Sequence, residues 1–189
     1  MAYSIYQTDC VVLGIRDVQE HDLILRVFSP IFGYIRIISK GARKGTSKLR
    51  LNIQEYSLVQ IAAVKGKEFF ILTDAHRVFS FIQSKRVVNF LRAAEGLFFD
   101  DENDHGTKIN TDIYTMLVRM CKLIVWTASE KKNVSSIQDF FTVYVKGLQG
   151  FTGKIDVENM LNLNDVDMYT WIEEHTLLVE DLQNRMQKE

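Results

Sequence analysis

The hydrophobic period changes once along this chain, near residue 80, and that change limits the fold more than any other feature. Before it, apolar residues recur every second position. Asp22 to Phe28 sets Leu23, Leu25 and Val27 on one face and Ile24, Arg26 and Phe28 on the other. Tyr34, Arg36 and Ile38 alternate in the same way with Ile35, Ile37 and Ser39. Cys10 to Ile15, Tyr56 to Ala63 and Glu68 to Thr73 complete five short strands. Ser29-Pro30-Ile31-Phe32-Gly33 reads as a turn, and Lys65-Gly66-Lys67 as a tight connection. Five such strands in a short stretch predict a small closed β-barrel.

After Ser84 the period becomes that of helices. Arg86 to Phe99 carries Val87, Phe90, Leu91, Ala94, Leu97 and Phe98 at helical spacing. Asp112 to Ala128 does so with Ile113, Met116, Leu117, Met120, Ile124 and Ala128. Ile137, Phe140, Phe141, Tyr144, Val145 and Leu148 form a third stripe. Ser136 and Asp139 are read as a capping box before it, and Gly150 and Gly153 as its end. A last helix is expected over Asp167 to Gln187, with Met168, Ile172, Val179, Leu182 and Met186 along one face. The predicted class is therefore α+β: a barrel domain over residues 1–80, then an all-helical domain over 81–189.

The 189 residues are 47% hydrophobic and 25% charged, which suits a folded chain and not a disordered one. No apolar run is long enough for a membrane span, and MAYSIYQTDC lacks the basic start and apolar core of a signal peptide. The expected location is the cytoplasm. The net charge of -1 hides an asymmetry. Residues 1–80 hold 11 Lys and Arg against 7 Asp and Glu; residues 81–189 hold 12 against 17. No acidic residue lies between Asp22 and Glu55, while Arg26, Arg36, Lys40, Arg43, Lys44, Lys48 and Arg50 do.

Lys40-Gly41-Ala42-Arg43-Lys44-Gly45-Thr46-Ser47-Lys48-Leu49-Arg50 suits a phosphate backbone. Each cation that neutralises a phosphate releases counterions, and glycines let the main chain come close. The spacing of Gly41, Gly45 and Lys48 is not that of a nucleotide-binding P-loop. The competing reading is a solvated charged turn. Aromatic residues in or near the strands (Tyr34, Tyr56, Phe69, Phe70, Phe79, Phe81) are read chiefly as core, with base stacking on an exposed one as the alternative and no single ring singled out for it. The acidic stretch Asp101, Asn103, His105, Gly106 and Asp112 imitates a calcium loop. It puts His at an oxygen-ligand position and lacks the final Glu, so an inter-helix loop is the better reading. Four histidines and two cysteines, Cys10 and Cys121, form no zinc or hydrolase pattern, and Cys121 reads as a buried thiol. His175 reads as a packed histidine, and no catalytic residue, cofactor or metal is expected.

The order of several short motifs adds a resemblance. Thr8-Asp9-Cys10-Val11-Val12-Leu13 precedes Arg16-Asp17, Glu20 and Asp22. Phe32-Gly33-Tyr34, then Lys40-Gly41-Ala42-Arg43 and Ser47-Lys48-Leu49-Arg50 follow. This order resembles the N-terminal domain of RecO, the bacterial DNA repair and recombination mediator family, over about residues 8–75. Phe140-Phe141 to Leu148, Gly150 and Phe151 are similar to the helix before that family's metal-binding segment. The resemblance implies an OB-fold followed by a helical domain. It implies binding of single- and double-stranded DNA, annealing of complementary strands, and association with RecR and single-stranded-DNA-binding protein during recombinase loading. It implies a bacterial, nucleoid-associated setting without a membrane. It points to Lys40, Arg43 and Lys44 as DNA-binding, with Lys48 and Arg50 close by; Arg16, Arg26 and Arg36 are the further cations that could join them. Thr152-Gly153-Lys154-Ile155-Asp156 stands where many members carry zinc-binding cysteines, so structural zinc is not expected. A protein-interaction adaptor and an OB-fold RNA binder are the alternative functions.

Overall fold

The computed structural model describes residues 4–66, 69–99, 107–129, 135–148 and 163–176. Five strands come first: β1 Ile5–Val18, β2 Asp22–Ser29, β3 Gly33–Ser39, β4 Ser57–Lys65 and β5 Phe70–Ser80. Four described helices follow: α1 Lys85–Phe99, α2 Thr107–Ser129, α3 Ser135–Leu148 and α4 Asp165–Glu174. The strands close in the order β1-β2-β3-β5-β4. All pairings are antiparallel except β3–β5, a parallel seam of two residue pairs, Ile37 with Phe70 and Ile38 with Ile71. A five-stranded barrel in this order is an OB-fold.

The alternation seen in the sequence is the barrel's inside and outside. Cys10, Val12, Leu25, Val27, Ile37, Val59, Ile61, Leu72 and Ala75 point inward and form the core. At the β2–β3 turn, Tyr6, Phe32 and Phe70 meet as a ring cluster, with centroids 4.8–6.1 Å apart. The Phe32 amide donates to Ser29 Oγ at 2.9 Å, and Gly33 takes a left-handed φ of 64°. β1 is longer than its apolar run because Ile5 to Asp9 pair with Val64 to Gln60. β5 likewise runs past Thr73, with Asp74 to Ser80 held against β4 through the ladder despite their polar composition.

Two compact units divide the chain. One comprises residues 1–88 with 103–114, and the other 89–102 with 115–189. The first unit thus recruits the opening turns of α2. Thr111 Oγ1 donates to the Pro30 carbonyl at 3.1 Å, and Asn110 is buried against Gly33, where a Cβ would lie 2.8 Å from Asn110 Oδ1. Burial, then the nearby Asp9 and Cys10, push the Tyr114 phenol upward. Helix α2 starts before Asp112 because these polar residues are fixed by tertiary contacts that no apolar stripe announces.

In the second unit the predicted stripes are core. Phe90, Leu91, Ala94 and Phe98 of α1 are buried, as are Met116, Leu117, Met120 and Ile124 of α2 and Ile137, Phe140, Phe141, Tyr144 and Val145 of α3. Phe141 meets Phe90 and Phe98 edge-on, and Phe140 meets Trp171. Ser136 lies inside α3 and is not its cap, because the helix already includes Ser135. Helix α4 begins at Asp165, with Asn164 Oδ1 accepting from the Asp167 amide at 2.9 Å. Met168 and Ile172 are buried. His175 stacks on Trp171 at 4.2 Å, with its Nδ1 2.9 Å from the Trp171 carbonyl. The calcium-like stretch 101–106, Gly150 to Asp156, and Val179, Leu182 and Met186 lie outside the described residues.

Candidate nucleic-acid interface

The segment between β3 and β4 lies across one mouth of the barrel. Ala42 and Ile53 belong to the barrel core and Leu49 packs against it. The side chains between them turn outward: Lys40, Arg43, Lys44, Lys48 and Arg50 are all exposed. The segment is therefore an apolar plug with a cationic outer surface. Its path is fixed by main-chain bonds. The Gly41 amide donates to Asp22 Oδ1 at 2.7 Å and the Arg43 amide to the His21 carbonyl at 3.0 Å. Gly41 adopts a φ of 64°, which only glycine takes freely. Lys44 and Ser47 amides close successive turns, and Lys48–Leu51 forms a 3-10 helix. At the far end, the Ile15 amide donates to Glu55 Oε1 and the Tyr56 amide to the Val12 carbonyl, both at 2.8 Å.

The sequence-selected cations differ in their surroundings. Lys40 and Lys44 line an open cleft of about 410 Å³ with Gln19, Glu20, His21, Asp22 and Gly41. Arg43 sits 3.3 Å from Asp17, so part of its charge is spent within the barrel. Among the described residues, Lys40, Lys44, Lys48, Arg50 and Arg16 have no ion pair. Arg26 and Arg36 face each other across β2 and β3, and Arg26 also faces Gly14 across β1 and β2. The Arg26 guanidinium lies over Gly14, in the space a Cβ there would occupy. Arg26 is thus a half-buried structural side chain, whereas Arg36 and Arg16 are exposed on the same outer sheet face. The register places Arg16 opposite Ile24, two residues from Arg26.

Carboxylates of the β1–β2 turn border this surface. Asp22 is engaged by the Gly41 amide, Asp17 by Arg43, and Glu20 lies 3.9 Å from His21. What remains is a row of exposed cations on a segment anchored in the barrel core, beside one open cleft. Such a row suits an extended polyanion. Among the described residues no three His, Cys, Asp or Glu side chains are placed to share a metal, and no described helix is long and apolar enough to cross a membrane. Cys10 and Cys121 are both fully buried.

The family comparison falls on this same unit. Residues 1–81 match the family model described as "Recombination protein O N terminal". Over this stretch the chain is similar to the N-terminal domain of the RecO family. A "DNA repair protein RecO" from Desulforamulus reducens is 32% identical over 91 residues, covering 48% of this chain and 36% of that relative. One from Clostridium novyi is 27% identical over 78 residues, 41% of this chain and 30% of the relative. One from Desulfitobacterium hafniense is 33% identical over 64 residues, 34% and 23% respectively. The matched stretch thus spans about a third or less of each curated relative's length. The RecO match and the OB-fold coincide with the resemblance drawn from the ordered motifs.

One exposed ring escaped the sequence reading. Tyr56 and Phe81 are buried and Phe70 is partly so, as expected of core aromatics, but Phe79 is 52% exposed. Its signal was weak, because the polar run Asp74 to Arg77 hides that the strand continues to Ser80.

Proposed function

We propose that this chain is a non-enzymatic DNA-binding mediator of recombination and repair, holding the sugar–phosphate backbone on the segment between β3 and β4. The observation that carries the reading is the division of labour within that segment. Ala42, Leu49 and Ile53 anchor it in the barrel, while Lys40, Lys44, Lys48 and Arg50 stay exposed. Arg43 assists from its pair with Asp17, and Arg16 and Arg36 extend the charge along the outer sheet. Arg26 takes a supporting role, because its guanidinium is folded over Gly14.

Contacts of this kind read charge and not base identity, so single and double strands both bind. Cations that screen two strands at once lower their mutual repulsion, which favours annealing. The relatives' name, DNA repair protein RecO, supports a DNA-repair setting; the motif resemblance extends the proposal to a bacterial cytoplasmic, nucleoid-associated site and to RecR and single-stranded-DNA-binding protein as partners.

The test is Lys44→Glu/Lys48→Glu in the full chain, read by fluorescence anisotropy with labelled single-stranded and duplex DNA. Both side chains are exposed, so the fold is expected to survive. Affinity should fall at least ten-fold at low salt. The slope of log K against log salt for the single strand should flatten by about 1.4, two phosphate contacts at roughly 0.7 each. A folded variant that binds both DNAs like the parent overturns the assignment.

A further inference from the structure

Beyond the cations, β5 carries a second feature facing solvent. Leu58 pairs with Phe79 and Val59 with Arg77, so Val78 is an extra residue, a β-bulge. The bulge leaves two consecutive large apolar side chains in water, Val78 at 51% and Phe79 at 52% exposure. The Phe79 ring has a ring neighbour on one side. It meets the buried Phe81 ring at a centroid distance of 4.9 Å and an interplanar angle of 60°. One side of the ring is thus supported while about half of the residue remains open.

The basic segment comes alongside at this point. Arg77 Nη1 donates to Gln54 Oε1 at 2.6 Å, and Ser80 Oγ donates to the same atom at 3.1 Å. The Arg77 amide faces Asn52 Oδ1 at 3.5 Å. Residues 52–54 therefore run beside residues 77–80, and the exposed Arg50 and Leu51 lead directly into that stretch. Cations for phosphates and a supported open ring for a base occur together along one strip.

We infer that Phe79 is a base-stacking platform that selects single-stranded nucleic acid, fed by the phosphate-binding segment through Arg50 and Arg77. This rests on the proposed DNA-binding reading and deepens it. A single strand has free base faces that an exposed ring can stack on; a duplex keeps its bases stacked inside. The neighbouring cations match its phosphates, a pairing that a purely apolar partner would not use.

The experiment compares three labelled probes of equal length on the full chain: oligo-dT, an abasic phosphodiester oligomer and a duplex. Phe79→Ala should weaken oligo-dT binding by roughly 5- to 100-fold, the range of one lost base–aromatic stack. Binding of the abasic oligomer and the duplex should stay within two-fold. Phe79→Trp should restore oligo-dT affinity, with the new indole quenched on binding. Unchanged oligo-dT affinity in Phe79→Ala overturns the inference, as does an equal loss on the abasic oligomer or an indole that dT leaves unquenched. Loss of a protein partner with dT binding intact would reassign the strip to protein docking and also overturn it. If Lys44→Glu/Lys48→Glu loses all three probes while Phe79→Ala loses none, the stacking role alone has failed. If the lysine variant binds all three like the parent, it is the underlying reading that fails.

Discussion

At the residue scale, the two cysteines show how burial decides chemistry. Both are enclosed by apolar side chains, Cys10 in the barrel and Cys121 on α2. Burial pushes both thiols above their ordinary value of 9.0, with Asp9 adding to the rise at Cys10. In the unfolded chain each would ionise above that value; in the fold each keeps its proton. The folded state therefore binds more protons in alkali, and stability falls as pH rises above about 9 while remaining unaffected by these groups below it. The fall approaches about 1.4 kcal/mol per pH unit for each thiol. Urea titrations at pH 8 and pH 10.5 should show it, and Cys10→Ala/Cys121→Ala should lose most of the alkaline decline. An unchanged decline would mean that the thiols do not cause it. The same burial was legible in the sequence for Cys121, from its place beside Met120 and Leu123. The role of Arg26 was not, because nothing local to it announces that Gly14 leaves room for its guanidinium on the adjacent strand.

At the scale of elements, the segment between β3 and β4 is the decisive one. Ile53→Ala would leave a cavity in the barrel core and should cost about 2–4 kcal/mol. It should also speed hydrogen exchange at the Arg43 and Ser47 amides, which hold the segment's turns. A loss below about 1 kcal/mol would show that Ile53 is not a plug. Sequence alone disclosed the cations of this element and its glycines, since charge and φ preference are local properties. It did not disclose the plug, because Ala42, Leu49 and Ile53 follow no period and meet only where the barrel mouth gathers them. Strands β2 and β3 were legible almost to the residue, since half-buried strands must alternate. Helix α2 lost its first turn and more to a tertiary effect: Asn110 is buried at a glycine of the barrel, and no propensity encodes that.

For the whole molecule, charge distribution outweighs total charge. A net charge of -1 would give no attraction to DNA if it were spread evenly. Four exposed cations without ion pairs among the described residues, Lys40, Lys44, Lys48 and Arg50, concentrate it on one segment. If each neutralises one phosphate of a single strand, raising salt from 50 to 200 mM should weaken binding by roughly 50-fold. Anisotropy titrations at the two salt concentrations check this. A loss under about five-fold would leave fewer than two phosphate contacts, too few for the proposed surface. The barrel was readable from strand alternation and the RecO resemblance from ordered short motifs, whereas no local signal announces that residues 103–114 join the barrel unit from beyond α1.

Closure of the strand order from β1 round to β4 has its own consequence. A sheet with a free rim can enrol a foreign peptide as one more strand, matching main chain to main chain. This sheet, joined back to itself, leaves such a rim only where β3 and β5 part beyond their two-pair seam. Along the fully paired strands, whatever docks must be recognised by what projects from them, so partner choice there is written in individual side chains and can be rewritten one substitution at a time.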